Sequence, residues 1–128
     1  MSKLIFVFTC LFLVIPCAAK MITVDDDGPA DFNNIQAAID DANNGDTIVV
    51  ADGAYTGDGN RDIVLIGKKI TVKSKNGPEN CVIDCNGVLW DWHWGFYIVD
   101  CENTDTVIDG FTIINGYQTH AGGGGGAF

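Results

Sequence analysis

The chain has 128 residues, 17 acidic against 7 basic, and a net charge of −10 at pH 7. An acidic surface repels phosphates, which argues against nucleic acid and anionic membranes as partners. The length suits one domain with a modest core.

The first segment carries Lys3, an apolar run from Leu4 to Ile15, and small residues ending at Ala19. That pattern describes a secretory signal peptide cut after Ala19. A membrane-spanning helix needs roughly 20 apolar residues, and this run is shorter. The expected location is therefore secreted or cell-surface, with no membrane span after cleavage. Removing 1–19 takes Lys3, Cys10 and Cys17, leaving 6 basic residues against 17 acidic ones. Cys81, Cys85 and Cys101 remain. Export permits a disulfide, but three is an odd number. Cys85 with Cys101, Cys81 with Cys101, and buried stacked thiols all stay open. No CxxC pair and no clustered histidines occur, so no zinc site is expected.

Met21 to Val24 reads as a short strand, and Asp25-Asp26-Asp27-Gly28-Pro29 as a solvated turn. A helix follows, with Ile35, Ala38, Ile39 and Ala42 at i, i+3, i+4, i+7 on one face. Asn33 with Gln36 fits a capping box, Phe32 stands as the staple residue, and Asn43-Asn44-Gly45 supplies the stop. A short one-sided helix followed only by strands suits a lid over a flat apolar surface.

Beyond Gly45 the period changes to short β-branched or aromatic runs. These are Thr47–Val50, Ile63–Ile66, Ile70–Ser74, Cys81–Asp84, Phe96–Val99, Thr106–Asp109 and Phe111–Ile114, with Gly, Asn and Asp between them. Cys81-Val-Ile-Asp84 recurs as Thr106-Val-Ile-Asp109 at an offset of 25. Ile70–Val72 lines up with Phe96–Ile98 at 26, and Thr47–Val50 with Ile70–Lys73 at 23. A near-constant step is the mark of a solenoid, whose repeats must stack to bury their apolar sides. Sandwich strands have no reason to recur in register. The expected fold is all-β: a right-handed parallel β-helix with an N-terminal α-helical cap and about three coils, truncated at its C-terminal end. The expected divisions are 1–19 signal peptide, 20–46 strand and capping helix, and 47–128 coils.

These residues resemble a family. Ile22-Thr-Val-Asp25, Gly28, Ala30-Asp-Phe32, Ile35-Gln-Ala-Ala-Ile39, Gly45-Asp-Thr-Ile48 and Gly53-Ala-Tyr-Thr56 are similar to the opening of pectin-lyase-like β-helix proteins, pectinesterases among them. Gly59–Asp62, Lys69–Ser74, Asn76–Cys85 and Val107–Gly116 resemble secreted bacterial right-handed β-helix proteins related to polymorphic outer-membrane proteins and pectate lyases. The likeness runs from Ile22 to about Gly126. It implies a protein that acts on or binds acidic polysaccharide, with a surface or adhesion module as the alternative. It further implies catalytic residues on coils beyond those seen here, so no catalytic position carries over and the isolated chain is expected to be inactive. The resemblance implies no cofactor in this chain and leaves calcium open for the full-length protein.

Several motifs bear on chemistry. By their repeat positions Asp84 and Asp109 would stack one strand spacing apart, a separation that shifts carboxyl pKa values; hydrogen bonding to turn amides is the plainer role. Asp58-Gly-Asn60-Arg-Asp62 begins like a calcium loop but has Ile63 at the sixth position and Lys69 at the twelfth, so no metal site is assigned. Trp90-Asp-Trp92-His93-Trp94 holds all 3 tryptophans in an insertion between strands. Trp90, Trp92 and Trp94 are the candidate carbohydrate-binding residues, as a stacking platform for sugar rings; local packing is the competing role. His93 and His120 have no evident partners. Gly122–Gly126 lacks the GK[ST] ending of a phosphate loop and fits a tight corner.

Overall fold

The computed structural model describes residues 18–100 and 105–118. The apolar N-terminal segment up to Cys17, expected as a signal peptide, and Cys101, His120 and the Gly122–Gly126 run lie outside the described residues. In chain order the elements are β1 (Met21–Val24), α1 (Ile35–Asp41), β2 (Thr47–Val50), β3 (Gly53–Thr56), β4 (Ile63–Ile66), β5 (Thr71–Ser74), β6 (Cys81–Asp84), β7 (Phe96–Val99), β8 (Val107–Asp109) and β9 (Thr112–Ile114). Among the described residues the chain is all-β in character, with parallel sheets and one short helix.

The described residues form three sheets, in the orders β1-β2-β5-β8, β3-β6-β9 and β4-β7. Every pairing between these strands is parallel. From β2 onward, successive strands enter the first, second and third sheets in rotation, and β5–β7 and β8–β9 repeat that order. Parallel neighbours need a crossover of a dozen or more residues. Here the strands of the other two sheets form much of that crossover.

Alternation sends every second side chain inward, and parallel register aligns the inward ones in columns. Ile22, Ile48, Val72 and Ile108 are successive partners in the first sheet. Tyr55, Ile83 and Ile113 follow in the second, and Ile63 with Phe96 and Leu65 with Ile98 in the third. Ile48, Val72, Tyr55, Ile83, Ile63, Leu65 and Phe96 are fully buried. Each fully buried aliphatic or aromatic side chain contributes about 1.5–3 kcal/mol of transfer free energy, so the columns are the main stabilising feature. Phe96 also meets Phe111 in a tilted pair with centroids 5.7 Å apart.

Helix α1 covers the β1 end of this core. Ile35, Ala38, Ile39 and Ala42 are buried, the face expected from their spacing. The cap is Asn34, not Asn33: its Oδ1 accepts from Ala37 N at 2.8 Å. Gln36 is consequently not the reciprocal member of a capping box. Its side-chain amide instead bonds β4, with Oε1 accepting from Val64 N (2.8 Å) and Nε2 donating to Val64 O (3.0 Å). An edge strand's unpaired groups are thus satisfied by a helix side chain. At the other end, Lys68 Nζ donates to the carbonyls of Ile39 (2.6 Å) and Asp40 (2.9 Å), satisfying acceptors that a helix C-terminus leaves open.

The repeat alignment read from sequence needs correction. Cys81–Asp84 and Thr106–Asp109 do not stack, because β6 and β8 belong to different sheets. Asp84 faces Ile114, and Asp109 faces Lys73. Ile70–Val72 and Phe96–Ile98 are likewise in separate sheets, and the partner of Thr47 is Thr71, one residue later than expected. Loops of unequal length are the cause. Paired residues lie 24 apart between β2 and β5 and 36 apart between β5 and β8, as Thr47↔Thr71 and Thr71↔Val107 show. A constant step therefore matches the wrong strands.

Candidate functional site

The loop 85–95 joins β6 to β7, the same two sheets that the loop 57–62 joins one turn earlier, between β3 and β4. The later connection is the longer by five residues, 11 against 6. It begins against the following segment: Cys85 N donates to Ile114 O (3.0 Å) and Gly87 N to Asn115 O (2.8 Å). Asn86 and Asn115 both turn the chain with positive φ, 48° and 54°. Asparagine tolerates that conformation better than other side-chain-bearing residues. Asp84, carried on β6, accepts from Asn86 N (3.0 Å) and Asn115 Nδ2 (2.9 Å). It serves the turn, and it forms no stacked carboxylate pair with Asp109.

The chain then folds into a small hairpin in which Val88 and Asp91 exchange both backbone hydrogen bonds, at 2.9 and 3.0 Å. Leu89 and Trp90 form its tip. Trp90 holds φ at 74°, a position where a turn ordinarily has glycine or asparagine. A bulky aromatic there is strained by on the order of 1–3 kcal/mol. The residue is nonetheless 82% exposed, so burial does not offset that strain.

Beyond the tip, the loop is anchored to the earlier turn. Asp62 N donates to Trp94 O (2.8 Å), and Asp62 Oδ1 accepts from Trp94 N (2.9 Å). Asp62 Oδ2 and His93 Nδ1 stand 2.5 Å apart, so the ring presents its Nδ1–H to the carboxylate. Asp62 itself has φ 51°, which turns its side chain towards this partner. His93 Nε2 is buried 3.2 Å from Asp91 Oδ1, close enough for an ion pair when the ring is protonated but without a hydrogen bond. The His93 carbonyl accepts from Tyr117 N at 2.8 Å. An Asp–His pair suggests acid–base chemistry, but a substrate would need access to Nε2, and that atom is enclosed. The pair acts as an anchor.

The three tryptophans expected to form one platform differ in exposure. Trp90 and Trp92 are exposed, at 82% and 41%. Trp94 is half-buried, with Nε1 enclosed and lacking a hydrogen-bond partner. Arg61 turns inward too, donating from Nη1 to Cys85 O at 3.0 Å. The sequence drew attention to the aromatic cluster but not to Asp62 as its anchor. The partners are 31 residues apart, and only the strand register brings them together.

The failed calcium motif at 58–62 is occupied by other work. Asn60 Oδ1 accepts from Ile35 N (3.1 Å), and Asp62 holds the tryptophan loop. Asp25, Asp26 and Asp27 bring their carboxylates within 4.8 Å of one another. A hydrogen bond with Asp25 and the charges of Asp25 and Asp26 raise the pKa of Asp27. Such exposed clusters are common without an ion. Cys81 is a free thiol, and burial pushes the pKa of both Cys81 and Cys85 to about 11, which keeps them protonated and unreactive at neutral pH. Shallow depressions of about 320 and 300 Å³ lie by Lys20 and Met21, away from the tryptophan loop.

Among the described residues, no helix is long and apolar enough to cross a membrane. Comparison with protein-family models, with curated proteins and with solved structures finds no match.

Proposed function

We propose that the chain is part of an exported right-handed parallel β-helix protein that binds polysaccharide through its 85–95 loop. The rotation of strands among three parallel sheets supports the solenoid. Its hand follows from the strong right-handed preference of strand–crossover–parallel-strand connections. The resemblance points to acidic polysaccharide as the general substrate class. It also points to lyase or esterase chemistry as the reaction class.

The observation that carries the binding role is Trp90, an exposed aromatic at the tip of a hairpin in a backbone conformation that disfavours it. Strain kept at a solvent-facing position marks a functional constraint, and tryptophan faces stack on sugar rings. Tryptophan fluorescence titrations with soluble polysaccharides test this. Saturable quenching or a blue shift is expected, and it should disappear in a Trp90→Ala/Trp92→Ala double variant with an unchanged melting temperature. Binding that survives the double substitution removes the loop from the account. With polygalacturonate and calcium, the isolated chain is expected to release no unsaturated product.

A further inference from the structure

We infer that the exposed end of the 85–95 loop takes a neutral, hydroxyl-rich glycan and discriminates against uronate chains. This rests on the polysaccharide-binding role proposed for the loop, and it departs from the acidic class that the resemblance implies. Trp90 and Trp92 are both exposed, and their faces suit the C–H face of a pyranose ring. Between them in sequence stands Asp91, whose side chain is 69% exposed and whose Oδ1 lies 3.2 Å from His93 Nε2. An exposed carboxylate thus accompanies two exposed tryptophans on one short stretch of the loop. An ionised carboxylate can only accept hydrogen bonds. It matches sugar hydroxyls and opposes a ligand carboxylate.

The basic side chains in and beside the loop do not reverse that preference. Arg61 is committed to the Cys85 carbonyl. His93 is only 15% exposed and lies between two aspartates, Asp62 and Asp91. Asp84, at the start of the loop, adds another carboxylate. Like unit charges about 6 Å apart in water cost roughly threefold in affinity, and salt weakens the effect.

Affinity electrophoresis and fluorescence titration of the purified chain, with chelator present, should compare soluble neutral glucans, galactans and mannans with polygalacturonate at low and high salt. The expected result is binding of at least one neutral glycan. Polygalacturonate should bind at least about threefold more weakly at low salt, with the gap narrowing as salt rises. Asp91→Asn should weaken the neutral glycan and narrow the same gap. Polygalacturonate binding as tightly as the best neutral glycan overturns the inference while leaving the polysaccharide reading in place. Absence of binding to every glycan, polygalacturonate included, overturns both. An Asp91→Asn variant with unchanged affinities for both classes contradicts the role given to Asp91.

Discussion

The loops 57–62 and 85–95 make the same connection between sheets, yet their residues are put to different uses. In the first, polar groups face the protein. Asn60 is buried and accepts from Ile35 N at the start of α1, Gly59 O accepts from Gln36 N at 2.8 Å, and Asp62 anchors the next loop. Gly59 is required twice over: its φ is +84°, and a Cβ there would lie 2.7 Å from Asn34 Oδ1. In the second loop, the base repeats this economy, but the five added residues make a hairpin whose tip carries a strained, exposed tryptophan. A turn selected for stability places glycine at positive φ. Under the proposed binding role, a turn that places tryptophan there holds a ring outward for a ligand.

Substitutions in the two regions should separate these roles. The largest effect belongs to the helix that the first loop holds. Ile39→Asp puts a charge on the buried face and should cost about 3–5 kcal/mol in chemical denaturation. An unchanged unfolding midpoint removes the helix from its covering position. Asn60→Ala, at the heart of the first loop, should cost about 1–3 kcal/mol by leaving Ile35 N unpaired in a buried site. A neutral outcome would make the two loops energetically alike.

Trp90→Gly in the second loop should have the opposite sign. It relieves the left-handed strain at the expense of a more flexible unfolded chain, and the net change should lie between zero and about +1 kcal/mol of stability. Fluorescence-detected glycan binding should be lost in the same variant. Destabilisation by Trp90→Gly would show that the ring packs rather than presents.

The smallest effect is one of pH, at the turn that enters β2. Hydrogen bonds from Lys20 N and Asn43 N lower the pKa of Asp46, and those from Thr23 lower that of Asp31. A carboxyl whose folded pKa is depressed contributes stability above its unfolded value, about 3.9 for aspartate, and loses it as pH falls through the folded value. Melting temperature should therefore stay level from about pH 6 to 5 and decline below about pH 4. Asp46→Asn should make that decline shallower.

The sequence made the local elements clear and the pairing unclear. The helix face at Ile35, Ala38, Ile39 and Ala42 is a 3.6-residue pattern, and local periodicity suffices to find it. So are most strands, whose β-branched runs stand out between Gly, Asn and Asp. Strand β3, Gly53-Ala-Tyr-Thr56, was not legible because a small, polar run has little strand character; only its buried Tyr55 gives it a packing partner. Pairing depends on loop lengths. The 11-residue loop before β7 lengthens the step, which is why Asp84 and Asp109 read as neighbours and are not. The candidate site divides similarly. Three tryptophans in five residues mark the loop, but Asp62 opposite His93 follows from register alone.

The account depends most on which strand lies beside β6. Inter-strand nuclear Overhauser effects in the labelled chain read this directly. The parallel stack predicts backbone contacts of Ile83 with Ile113 on one side and with Tyr55 on the other. Backbone contacts between β6 and the Val107–Asp109 strand, or the close Hα–Hα pairs of an antiparallel hairpin, would contradict the stack and the placement of the tryptophan loop built on it.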